Sequence, residues 1–118
     1  MPRFTGTAMA LALVLAACST TSSGGAAGGR AISITLTEFK FSPAQPEVPA
    51  GTPFTLTLKN AGAIDHDFVI TKTDIKVLIK PGASAQQEIG ALAAGTYEII
   101  CSIPGHKESG MVGKLIVK

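Results

Sequence analysis

From Ile32 onward the chain returns to one pattern: short runs with an apolar residue at every second position, closed by glycine or proline. Ile32-Ser33-Ile34-Thr35-Leu36-Thr37 and Phe54-Thr55-Leu56-Thr57-Leu58-Lys59 alternate strictly, the period of a strand with one buried face. Further extended runs cover residues 68–70, 75–79, 85–89, 96–101 and 114–118. Between them stand Ser42-Pro43, Pro49-Ala50-Gly51-Thr52, Asn60-Ala61-Gly62-Ala63, Pro81-Gly82 and Ala93-Ala94-Gly95, all turn chemistry. Short strands at this spacing, with no amphipathic helical period beside them, predict an all-β sandwich or barrel of about seven to eight strands. Phe39 and Phe41 fall out of phase with Ile32, Ile34 and Leu36, which predicts a bulge or kink near Glu38. Leu92 sits in an Ala-rich stretch that is compatible with one helical turn or with none.

The first residues follow a different logic. Arg3 precedes the apolar run Ala8-Met9-Ala10-Leu11-Ala12-Leu13-Val14-Leu15-Ala16-Ala17, an export signal in its order of charge, apolar core and small residues. The run falls short of the roughly 20 apolar residues of a membrane-spanning helix. Its end, Leu15-Ala16-Ala17-Cys18, resembles the bacterial lipobox, whose cysteine carries the lipid anchor of the mature protein. The expected organisation is a signal peptide at 1–17, a lipidated Cys18 opening a Ser/Thr/Gly/Ala tether at 18–30, and one domain at 31–118. Such a tether reaches about 40 Å at full stretch and holds the domain near a membrane outside the cytoplasm.

Charge excludes one class of partner. The chain has 10 Lys+Arg against 8 Asp+Glu, with no basic cluster, so nucleic-acid binding has no electrostatic footing. With Cys18 lipidated, Cys101 is a lone thiol in an oxidising compartment, exposed to oxidation unless something binds it.

The loop Cys101-Ser102-Ile103-Pro104-Gly105-His106-Lys107-Glu108-Ser109-Gly110-Met111 spaces a thiol, an imidazole and a thioether five residues apart. The other histidine, His66, lies in Ile64-Asp65-His66-Asp67-Phe68 at the mouth of a strand. Each alone has a plain alternative. His66 fits a surface histidine paired with Asp65 or Asp67, Cys101 a buried structural cysteine, Met111 a core filler and His106 a solvent-facing loop residue. Together they account for every histidine, cysteine and methionine of the expected domain. Two imidazoles, a thiolate and a weak thioether are the donors of a blue-copper site; zinc seldom takes methionine.

The stretch from Gly95-Thr96-Tyr97 through Cys101 and Pro104-Gly105-His106 to Gly110-Met111 resembles the copper-binding signature of cupredoxins, the plastocyanin/azurin family. Similarity continues upstream through Glu38-Phe39-Lys40-Phe41-Ser42-Pro43, Val48-Pro49-Ala50-Gly51 and Leu58-Lys59-Asn60 to His66-Asp67-Phe68, and the loop spacing is most like the membrane-attached auracyanins and halocyanins. The resemblance implies a Greek-key β-sandwich with one type 1 copper, His66, Cys101 and His106 in a plane and Met111 axial. It implies an electron carrier, with redox partners docking at the edge of His106 beside Ile103, Pro104, Gly105 and the 61–64 loop. A monomer anchored through Cys18 is the expected form. An enzyme would need a second copper centre and further histidines, which the chain lacks. Copper storage or delivery is the alternative function; an interaction sandwich with a vestigial site leaves the ligand set unexplained. Many family members carry Asn after the first histidine ligand, where this chain has Asp67. A carboxylate accepts hydrogen bonds there but does not donate them, and its charge favours Cu(II).

Overall fold

The computed structural model describes residues 30–118; the expected signal, Cys18 and the tether up to residue 29 lie outside the described residues. Nine strands follow one another: β1 (Arg30–Thr37), β2 (Lys40–Ser42), β3 (Glu47–Val48), β4 (Phe54–Asn60), β5 (His66–Ile70), β6 (Lys76–Ile79), β7 (Ser84–Ile89), β8 (Gly95–Ile100) and β9 (Val112–Val117). They form a four-stranded sheet in the order β2-β1-β4-β7 and a five-stranded sheet in the order β3-β9-β8-β5-β6. The all-β sandwich expected from alternation is therefore present, with the very short β2 and β3 added to the set. Leu92 lies in an irregular link between β7 and β8, where its carbonyl accepts a hydrogen bond from Gly51 N–H at 3.0 Å.

The phase break at Glu38 is a chain reversal, not a bulge. β1 and β2 pair antiparallel with Thr37 opposite Lys40, so Glu38 and Phe39 form a two-residue turn. Reversal sets Phe41 opposite Leu36, and both side chains are buried. β1 then runs parallel to β4 in register from Arg30 beside Phe54 to Leu36 beside Asn60. β3 runs parallel to β9, and the remaining pairs are antiparallel.

Alternation decides which side chains meet. Ile34, Leu36, Leu56 and Leu58 of one sheet face Phe68, Ile70, Ile99 and Leu115 of the other, all within one buried cluster. Phe41 meets Phe68 edge-on, ring centres 5.4 Å apart. Each such side chain contributes about 1.5–3 kcal/mol when fully buried. The buried polar residues among those described are Asn60, His66, Asp67 and His106. Asn60 ends β4, and His66 and Asp67 open β5. Buried polar groups are costly unless partnered, so their concentration marks a built site.

Candidate metal centre

Two loops build the site, and each is fixed before any metal is considered. The first joins β4 to β5. The amide of Asn60 donates to the carbonyls of Ile64 at 2.7 Å and Ile79 at 2.9 Å, and its oxygen accepts from Gly62 N–H at 2.9 Å. Glu38, from the β1–β2 turn, reaches the same loop. One of its oxygens, Oε1, accepts from Ala63 N–H at 2.7 Å and Ile64 N–H at 3.2 Å and lies 3.3 Å from His66 Nε2. A Cβ on residue 62 would meet this carboxylate where it now lies, so glycine there leaves it room. The backbone donors, Ala63 foremost, hold the Glu38 carboxyl below its ordinary range. His66 is fully buried, opposite Ile79 in the β5–β6 ladder. Its flanking acids turn elsewhere: Asp65 pairs with Lys80 at 2.9 Å, and Asp67 points at Ser102.

The second loop, residues 101–111, links β8 to β9 and closes on itself. Cys101 N–H donates to the Met111 carbonyl at 3.2 Å, Met111 N–H to the His106 carbonyl at 3.1 Å, and His106 N–H to the Ile103 carbonyl at 3.0 Å. Gly105 and Gly110 sit at φ of 87° and 103°, a backbone region that glycine adopts without strain. Cys101 continues the inward phase of Ile99 and is fully buried. His106 is 8% exposed, with Phe39 edge-on against its ring at a centroid distance of 5.1 Å.

The loops bring three donors together. The ligand atoms of His66, Cys101 and His106 lie within 4.8 Å of one another. His106 Nδ1 stands 3.3 Å from both His66 Nδ1 and Cys101 Sγ. Donors at metal-bond lengths of about 2.0–2.3 Å around one ion stand roughly 3.5–4 Å apart, so the cluster fits a single ion. Its composition, two imidazoles and a thiol, fits a type 1 copper centre. Burial pushes the Cys101 thiol up, opposed by the Asp67 N–H, which donates to Sγ at 3.4 Å. A coordinated metal deprotonates such a thiol outright. Met111 is fully buried in the core cluster that contains Cys101, tied by its backbone to both Cys101 and His106.

Asp67 binds the two loops across the site. Its carboxylate accepts from both the backbone N–H and the hydroxyl of Ser102, and Lys76 Nζ lies 3.7 Å away. Both donors belong to Ser102, so an acceptor-only side chain serves at this position.

A two-sheet sandwich with a buried His-Cys-His cluster at the edge of its core defines the blue copper class. The chain belongs to the cupredoxin-like domain family, which matches residues 7–117. It is 32% identical to the copper-resistant cuproprotein CopI of Rubrivivax gelatinosus, over 67% of this chain and 60% of that protein. It is 34% identical to rusticyanin of Acidithiobacillus ferridurans, over 61% of this chain and 49% of that protein. The chain thus spans about half to three fifths of the length of these curated relatives. In fold it is similar to dithionite-reduced auracyanin of Roseiflexus castenholzii, with a TM-score of 0.70, 24% identity and coverage of 76% of this chain and 98% of that one. It is also similar to auracyanin A of Chloroflexus aurantiacus, a "blue" copper protein, with a TM-score of 0.66, 24% identity and coverage of 77% and 100%.

Sequence reading singled out the donors and Asp67 but missed the roles of Glu38, Phe39, Asn60 and Ser102. Phe39 and Glu38 carried one signal, the phase break, which marks a turn as readily as a bulge.

Proposed function

We propose that the chain carries single electrons outside the cytoplasm, with His66, Cys101 and His106 as the principal copper ligands and Met111 as a weaker fourth. The observation behind this reading is the convergence of two imidazoles and a thiol at one buried point. Copper bound there would supply a one-electron Cu(I)/Cu(II) couple. The chain's own part is to hold its donors still. Asn60 and Asp67 pin the β4–β5 segment, and the ring of backbone bonds from Cys101 to Met111 pins the second loop. Ligands held this way rearrange little between oxidation states, which favours fast transfer. The surface over His106 suits brief docking of redox partners. Phe39, 37% exposed, lies edge-on to an imidazole that is nearly covered, and Pro104 and Gly105, both exposed, precede it in the loop. Lipidation of Cys18 would confine that encounter to a membrane surface.

A second reading, copper storage or delivery by the same ligands, draws support from the similarity to a copper-resistant cuproprotein. One experiment separates the two. The purified protein loaded with one equivalent of Cu(II) should be intensely blue, bleach with reductant and recover with oxidant, and Cys101→Ser should be colourless. A colourless wild-type complex that yields Cu(I) readily to a competing chelator would replace the carrier with the delivery protein.

A further inference from the structure

Glu38 lies 28 residues before His66 in sequence, yet its carboxylate meets the back of that imidazole. The contact is one of three at the same oxygen, Oε1, the others being the N–H groups of Ala63 and Ile64. An oxygen held by two backbone donors is fixed in space, and the ring it faces is fully buried. At a distance of 3.3 Å between Oε1 and Nε2, the compatible arrangement of a neutral ring puts the proton on Nε2. Nδ1, the nitrogen turned toward His106 and Cys101, is then left with its lone pair free.

We propose that Glu38 is the positioning residue of the metal centre: it fixes the Nε2–H tautomer and the orientation of His66, so that Nδ1 is presented to the ion. This rests on the copper reading given above. The principle is general, because a histidine that binds metal through one nitrogen is commonly oriented by an acceptor on the other. Here the acceptor is a charged side chain on a neighbouring hairpin rather than part of the ligand's own loop. Three features agree in serving it. The two-residue β1–β2 turn carries Glu38 out of the sheet toward the loop. Gly62 leaves room for the carboxylate in this position, where a Cβ would displace it. The same turn carries Phe39 against the ring of His106, so adjacent residues touch both imidazoles.

Because all three contacts fall on one oxygen, a glutamine can reproduce them without the charge, whereas an alanine reproduces none. The test compares Glu38→Gln and Glu38→Ala with wild type in two measurements. Nitrogen-15 NMR of the metal-free chain reads the His66 tautomer, and competition with a Cu(I) chelator reads affinity. Wild type and E38Q should show a single Nε2–H tautomer. E38A should show a mixture of tautomers and faster amide exchange at Ala63 and Ile64, with Cu(I) affinity lower by about 10–100-fold and restored in E38Q. The reduction potential of E38Q should rise above that of wild type, since a negative charge near the ligand is gone. A single Nε2–H tautomer in E38A with undiminished copper affinity would overturn the proposal. Should wild type fail to form a blue complex, the carrier reading would fall on that result alone, while the metal-free tautomer measurement would still decide the role of Glu38.

Discussion

Asp67 shows how much one side chain carries at this site. Its N–H donates to the Cys101 sulfur, its carboxylate takes both donors of Ser102, and Lys76 stands near enough to offset part of its charge. Asp67→Asn keeps the shape and the acceptor for the Ser102 N–H but removes a unit charge beside the thiolate. A unit charge several ångströms away at an effective dielectric of about 20 is worth about 2 kcal/mol, and partial pairing with Lys76 reduces this. The expected result is a potential raised on the order of 10–100 mV, read by voltammetry on the loaded protein; an unchanged potential would mean that Lys76 already cancels the charge, and a lowered one would overturn the electrostatic account of Asp67. At this scale the clustering of His66, Cys101 and His106 was legible, because the domain has no other histidine or cysteine to distract from them. Their partners were not. Asp67–Ser102 and Glu38–His66 are contacts across 35 and 28 positions, and nothing in local pattern links residues that far apart.

At the scale of elements, strand existence followed from alternation, and alternation is blind to pairing direction. Ile32-Ser33-Ile34 reads the same whether its neighbour runs parallel or antiparallel, so the β1–β4 parallel pair left no mark in the sequence. The turn at Glu38 and Phe39 was visible only as a change of phase, which a bulge produces equally well. Asn60 was read as a loop residue, yet it ends β4 fully buried and saturates its amide on Ile64, Ile79 and Gly62. It is the joint between that strand and the histidine loop. Asn60→Ala leaves two carbonyls and an N–H without that partner, which should cost about 2–3 kcal/mol, measured as a lowered urea midpoint of the metal-free protein. A loss below about 0.5 kcal/mol, the ordinary range for surface changes, would show that water replaces the amide and that the joint lies elsewhere.

Across the whole molecule, the clustered donors come from the first residue of β5 and from the β8–β9 connection, which the five-stranded sheet sets side by side by pairing β5 with β8. An ion bound by both loops cross-links segments 35 residues apart, from His66 to Cys101, so metal binding and folding draw on the same free energy. Metal that binds only the native state at a free concentration 100 times its dissociation constant adds about 2.7 kcal/mol. For a domain of this size each kcal/mol moves the thermal midpoint by about 4–8 °C, so Cu(I) buffered at that level without oxygen should raise it by more than about 10 °C. The diagnostic lies in the variants. Removing Cys101 takes a donor from the second loop, and His66→Ala takes the only one of the three donors supplied by the first. If the ion bridges the loops, either change should abolish most of the rise under the same copper buffer. A rise that survives His66→Ala would place the metal on residues 101–111 alone, and the sandwich would then be a carrier of one loop rather than the frame that joins two.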